Sequence, residues 1–157
     1  ALGTANKAGY SWLRFGGTGN DYLTYEFNGT VCPAQNDTKE CLNETTWANL
    51  LDFTEASAAK MILGLSMNTG QDRRRKLGAV DENPNFPSAW DPSNAREILT
   101  WTIEQGRGGL IGGFELGNEQ NSHYDAETIV ANFGVLWDLV QELWPDEEGR
   151  PYLFGPD

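Results

Sequence analysis

Positive charge is scarce in this sequence: 11 Lys and Arg stand against 23 Asp and Glu, a formal charge of −12 over 157 residues. Bulk electrostatics therefore argue against nucleic acid and anionic membrane surfaces as partners, while a local basic patch could still bind an anion. Long apolar runs are missing too. No stretch approaches the roughly 20 apolar residues of a spanning helix, so no transmembrane segment is expected. Ala1 to Tyr10 lack the charged-then-apolar order of a signal peptide, so if the protein is exported its signal is expected upstream of Ala1. The lone histidine, His123, and the two cysteines, Cys32 and Cys41, fit no zinc spacing, and neither a metal nor a cofactor is implied. There is no internal repeat and no low-complexity linker. What remains, 39% hydrophobic and 11% aromatic residues, suits one folded domain with a real core rather than a disordered chain.

The two cysteines bracket a loop-like stretch rich in Asn and Thr. Three Asn-x-Thr acceptor patterns begin at Asn28, Asn36 and Asn43. Acceptors interleaved with a cysteine pair point to an oxidising, glycosylating route, and hence to a secreted, extracellular or lysosomal or vacuolar protein in which Cys32 and Cys41 form a disulfide.

Four short apolar runs closed by Gly, Asn or Pro read as buried strands: Ser11 to Phe15, Met61 to Leu65, Ile111 to Leu116 and Tyr152 to Phe154. Helical patterns lie between them. Trp47, Leu50 and Leu51 give one apolar face to a helix from about Thr46 to Ala58. Asp91-Pro92 starts a second helix, with the Asp oxygen accepting a first-turn N–H and Pro at N1 having no N–H to lose. Ala95, Ile98, Leu99 and Thr102 mark its buried face, and Gly106, Gly108 and Gly109 end it. Asp125 opens a third, striped by Ile129, Phe133, Leu136 and Val140 and stopped by Pro145. Strands alternating with helices imply an α/β fold with a parallel sheet, because a parallel return needs a crossover. That leaves a doubly wound open sheet or part of a (β/α)₈ TIM barrel. A whole barrel takes about 250 residues, so on that reading the chain is an incomplete one, four units of eight.

The segment richest in chemistry is Gly113-Phe114-Glu115-Leu116-Gly117-Asn118-Glu119, an apolar strand ending in an amide and a carboxyl group. Where the chain turns at a strand end, both Asn118 and Glu119 can face a cleft at the carboxyl edge. Glycoside cleavage needs such a pair: an acid to protonate the leaving oxygen, and an amide to hold the sugar 2-hydroxyl as the transition state forms. The plainer reading is a surface acid beside a turn residue.

Further segments decide between these. The sequence resembles heparanase and its plant heparanase-like relatives, the β-glucuronidases of glycoside hydrolase family 79. The resemblance lies in Leu13-Arg14-Phe15-Gly16-Gly17-Thr18 with Asp21, then Leu50-Leu51-Asp52-Phe53, Leu63-Gly64-Leu65, Trp90-Asp91-Pro92-Ser93-Asn94-Ala95-Arg96, Phe114-Glu115-Leu116-Gly117-Asn118-Glu119 and Phe154-Gly155-Pro156-Asp157. It covers nearly the whole chain, and Cys32, Cys41, Leu42 and Trp47 look like the plant-type members. The resemblance implies a retaining glycosidase on a (β/α)₈ barrel. Residues 1–157 would be an incomplete barrel domain spanning about strands two to five, with the N-terminal strand and C-terminal half missing. It further implies that Glu119 is the proton donor, that Asn118 contacts a sugar hydroxyl and that Thr18 lines the cleft. The nucleophile, a Glu on the seventh strand, would lie beyond Asp157, so this stretch alone is expected to be inactive. Gln120 stands where the animal enzyme has Pro, a departure expected to leave the chemistry untouched. The implied partner is a glucuronic-acid-containing glycan, of proteoglycan or arabinogalactan type.

Arg73, Arg74, Arg75 and Lys76 form the one basic run, in a loop expected on the same rim as Glu119. Arg74 is a candidate grip on the sugar's acid group; a solvated loop is the plainer reading. His123 could line the cleft or be an ordinary loop residue, and Trp90 is a candidate stacking platform whose plainer reading is core packing. Two other readings stand against the hydrolase. Gly16-Gly17-Thr18-Gly19 resembles a dinucleotide loop, but Tyr22 fills the place of its third Gly, so a nicotinamide-dependent oxidoreductase is distant. The other is a member of the same fold that binds glycans without cleaving them.

Overall fold

A computed structural model describes residues 11–32, 41–67, 90–120 and 124–156. Four strands form one sheet: β1 (Ser11–Phe15), β4 (Ala59–Leu65), β5 (Ile111–Leu116) and β6 (Tyr152–Leu153). Their order is β1-β4-β5-β6 and every pairing is parallel. Neighbours in the sheet thus follow chain order without reversal. The short strands β2 (Thr24–Glu26) and β3 (Cys41–Asn43) pair in parallel as a separate ladder. Cys32 and Cys41 are joined by a disulfide beside it, with Cα atoms 5.9 Å apart.

Three helices supply the crossovers: α1 (Glu44–Ala56), α2 (Ser93–Glu104) and α3 (Ala126–Leu143). α1 starts two residues before the sequence suggests because Asn43 caps it, taking the Thr46 N–H at 2.9 Å. It ends at Ala56, and two residues on Ala58, at φ 49°, turns the chain away from the helix. α2 begins one residue past Pro92, so Pro92 is the N-cap rather than the first helical residue; its carbonyl accepts the Arg96 N–H at 2.8 Å, and Asp91, one residue outside, takes the Ser93 N–H at 2.9 Å. Its end is a Schellman turn. Gly106, at φ 73°, donates to the Ile103 carbonyl, and Arg107 donates to that of Thr102. α3 is capped by Asp125, which accepts the Thr128 N–H at 2.7 Å.

The core lies between the sheet and the helices. Met61, Leu63, Leu65, Ile111, Phe114 and Leu116 bury one sheet face against Trp47 and Leu51 of α1, Ile98 and Leu99 of α2, and Leu136 and Val140 of α3. Each fully buried large side chain contributes roughly 1.5–3 kcal/mol, so this layer holds the chain together. The opposite face carries Trp12, Arg14, Lys60 and Glu115. There the Trp12 and Phe154 rings meet edge to face, lying over Gly112 and Gly113; a Cβ on either glycine would fall within 2.6 Å of a ring carbon. Among the described residues no helix is long and apolar enough to cross a membrane.

The carboxylates at the helix starts make stability depend on pH. The hydrogen bonds from the Ser93 hydroxyl and N–H hold the Asp91 carboxyl below its ordinary value, and the Thr128 N–H does the same for Asp125. A depressed folded pKa stabilises fully above the unfolded value, about 3.9 for Asp, and that contribution is lost as pH falls through the lower folded value. In denaturant titrations, the stability gap between wild type and Asp125→Ala should be widest above about pH 5 and close towards pH 3. A gap of constant size across that range would show that the carboxylate charge adds nothing to the cap.

Candidate active site at the carboxyl edge of the sheet

Because every strand of the sheet is parallel, their carboxyl ends share one edge, and the chain after each strand gathers there. β1 leads into a 3₁₀ turn, Thr18–Tyr22. Asn20 pins that turn to the sheet, its Nδ2 donating to the carbonyls of Gly64 at 2.9 Å and Phe15 at 3.2 Å. Gly64 permits the crossing: a Cβ there would lie 3.1 Å from the Gly16 Cα. After β4, the Ser66 hydroxyl donates to the Asp21 carbonyl at 2.8 Å, and the Ser66 N–H donates to the Tyr25 hydroxyl at 3.0 Å. Burial pushes the Tyr25 phenol well above its ordinary value, and the Asp21 charge adds to the rise, so Tyr25 stays neutral.

The turn after β5 is the centre of the site. Gly117 has φ 72° and donates to the Leu65 carbonyl at 2.9 Å, which closes the end of β5 onto β4. Asn118 is half-buried and Glu119 exposed. Glu119 has φ 51°, the left-handed region, where a side chain costs roughly 1–2 kcal/mol. The surroundings hold it there. Asp21, only 2% exposed, accepts the Asn118 N–H on one oxygen at 3.0 Å and Gln120 Nε2 on the other at 2.9 Å. The Asn118 side chain is fixed from both ends: Arg14 donates to its Oδ1 at 3.2 Å, and its Nδ2 donates to Thr18 Oγ at 3.3 Å. Arg14 Nε in turn donates to both Glu115 oxygens, at 3.0 and 2.7 Å.

Gly117 leaves no room for a side chain. A Cβ would lie 2.4 Å from Gln120 Cγ and 3.2 Å from Met67 Cβ. Gly117→Ala should cost roughly 1–2 kcal/mol for the left-handed backbone and about 1–3 kcal/mol more for overpacking. A shift of the denaturation midpoint worth under about 1 kcal/mol would mean that the turn repacks freely.

Of the residues singled out from sequence, Thr18, Asn118 and Glu119 converge on this edge. Arg74, His123 and Asn36, together with the rest of the basic run and Asp157, lie outside the described residues. Asn28 is exposed in a turn at φ 47°, and Asn43 is exposed while capping α1. Trp90 is core: it is 5% exposed, and its Nε1 donates to the Ser66 carbonyl at 3.0 Å beneath the edge. Glu26, Cys32 and Cys41 bring possible metal-ligand atoms within 4.8 Å of one another, but the disulfide uses both sulfurs and leaves no thiolate.

Sequence reasoning missed the supporting set. Arg14 and Asp21 were only parts of a motif, and Gln120 counted as a neutral departure; all three are hydrogen-bonded members of the Asn118–Glu119 turn. A polar residue next to an apolar strand end, followed by an acid before the next strand, was their only local signal.

Fold and site together define an α/β protein with an amide–carboxylate turn built into the carboxyl edge of a parallel sheet. The family model for the glycosyl hydrolase family 79 N-terminal domain matches residues 9–157, and the chain belongs to that family. Its family chemistry is therefore glycoside hydrolysis and its substrate class a glycan. No match was found among curated proteins.

Proposed function

We propose that this chain carries the acid/base half of a retaining glycoside hydrolase that cleaves β-linked glucuronic acid. Glu119 is the proton donor and then the base, Asn118 contacts the sugar 2-hydroxyl, and Thr18 lines the cleft. The observation that carries this reading is the Asn118–Glu119 turn at the sheet's carboxyl edge, with Thr18 hydrogen-bonded to Asn118. Retaining hydrolysis splits the work between two carboxyl groups about 5–5.5 Å apart, one nucleophile and one acid/base. Both other carboxylates described beside the turn are engaged, Glu115 with both oxygens on Arg14 and Asp21 with its oxygens on Asn118 and Gln120, which supports assigning the nucleophile to a Glu on a later strand beyond Asp157. Strand order that follows chain order, with helices on one face, supports an arc of a (β/α)₈ barrel over about strands two to five. On this reading Arg74 and His123 belong to the sugar-binding rim. The disulfide and the acceptors at Asn28, Asn36 and Asn43 support a secretory route, ending outside the cell or in a lysosome or vacuole.

The test is hydrolysis of a chromogenic β-glucuronide by the full-length protein, wild type beside Glu119→Gln. Turnover in the wild type, lost in the variant while glucuronide binding persists, supports both reaction class and proton donor. Binding without turnover in the wild type, across glucuronide and heparan-type substrates, would favour the glycan-binding reading instead.

A further inference from the structure

Glu119 sits at the crest of a left-handed turn, and one buried carboxylate spans that turn. Asp21 accepts from the residue before Glu119, through the Asn118 N–H at 3.0 Å, and from the residue after it, through Gln120 Nε2 at 2.9 Å. Gln120 Nε2 also donates to the Asn118 carbonyl at 3.0 Å, so the two flanking residues are tied to each other as well as to Asp21. Asp21 is anchored in turn, its carbonyl accepting the Ser66 hydroxyl at the end of β4 at 2.8 Å. Gln120 is 7% exposed, and among the described residues nothing donates to its Oε1. Among the described residues, the hydrogen bonds of this buried amide run through Nε2 into the clasp.

We propose that Asp21, with Gln120 as its second contact, is the positioning residue for Glu119; the inference rests on the reading of Glu119 as proton donor. In the first step the Glu119 proton passes to the glycosidic oxygen as the bond from C1 to that oxygen breaks. The nucleophile's electron pair forms the new bond to C1, and the alcohol leaves neutral. In the second step water attacks C1, gives its proton to Glu119 and releases the nucleophile. Asp21 touches none of these atoms. Its part is geometric: a general acid must lie about 2.6–3.2 Å from the oxygen it protonates. A glutamate at φ 51° relaxes towards the right-handed or extended regions unless its neighbours over-determine it. A misplacement of about 1 Å is enough to cost roughly 100-fold. Burial keeps water from competing for the clasp, so it stays set when substrate arrives.

Asp21→Asn tests this, because it offers one acceptor and one donor where the turn presents two donors. The readout is kcat/KM of the full-length protein on two glucuronides, one with an alkyl leaving group that must be protonated and one with dinitrophenolate, which departs unaided. The alkyl glucuronide should lose about 10- to 100-fold, and the dinitrophenyl glucuronide less than about 3-fold. Gln120→Met keeps the side chain's bulk and removes only the Nε2 contact; it should show the same skew at about 3- to 10-fold. A merely structural role would lower both substrates together, and that result in folded variants overturns the inference. Should Asp21→Asn fail to fold, Gln120→Met decides: skew sustains the inference and its absence overturns it. Glu119→Gln, run alongside, separates the two readings. If it shows the skew and the clasp variants do not, only this inference falls; if it keeps full activity on the alkyl glucuronide, the proton-donor reading falls and takes the inference with it.

Discussion

Glutamine in place of Glu119 should lower kcat/KM for an alkyl glucuronide by about 10²–10⁴-fold in the full-length protein, the usual contribution of a positioned general acid. At 1.36 kcal/mol per decade that is roughly 2.7–5.4 kcal/mol of transition-state stabilisation. The loss should shrink as the leaving group improves, because a dinitrophenolate needs no proton to depart. With that substrate, on the proposed acid/base reading of Glu119, the second step becomes the bottleneck, since the variant offers no base to the attacking water. The glycosyl-enzyme should then accumulate, and kcat and KM fall together. The side chain is exposed and Gln is isosteric, so neither the left-handed backbone nor the Asp21 bonds to Asn118 and Gln120 should change. A series of aryl glucuronides ordered by leaving-group pKa measures this directly. A steeper dependence in the variant supports the role, and parallel lines for wild type and variant would remove Glu119 from it.

Truncating Trp47 should produce the largest loss of stability. Its side chain is fully buried between the sheet and α2, 6.5 Å ring to ring from Phe15, with Nε1 donating to Thr102 Oγ at 2.8 Å. Thr102 passes the chain on, its hydroxyl donating to the Ile98 carbonyl at 2.7 Å. Trp47→Ala should cost about 3–5 kcal/mol, since it loses the transfer energy and leaves a cavity that fixed neighbours only partly fill. Against a typical total of about 5–15 kcal/mol, that is enough to populate unfolded chain at ordinary temperature. Trp47→Phe keeps most of the packing and removes the donor, so it should cost less than half as much. Denaturant midpoints of the three proteins give the comparison; equal costs for Phe and Ala would place the energy in the hydrogen bond rather than in the packing.

The elements that the sequence made legible share a physical origin. β1 and β5 were readable to the residue because glycine closes each short run, although Arg14 and Glu115 interrupt them and β1 is largely exposed rather than buried. The stripe Ala95, Ile98, Leu99 and Thr102 was readable because helical periodicity and burial coincide, and all four are buried. The Asp91 and Asp125 side chains at the helix starts bond within two or three residues, so their chemistry is local. Strands β2 and β3 were not readable: three residues carry no period, and each exists only because the other pairs with it.

The same boundary runs through the site. Sequence by itself determined the parallel α/β arrangement, and through the Asn118-Glu119 pair and its accompanying motifs it pointed to the acid, its amide neighbour and Thr18. The arrangement needed only strand ends and periodicity, whereas the site residues came from the resemblance to glycoside hydrolase family 79. Tertiary structure alone decided what holds them. The bonds of Asp21 to Asn118 and Gln120, and of Arg14 to Glu115, join positions 97, 99 and 101 residues apart. A polar residue's sequence neighbours do not tell where such a partner lies. Only folding the parallel strands side by side brings the end of β1 beneath the turn after β5, and there a buried carboxylate can take two donors and fix a backbone that its own residues would not choose.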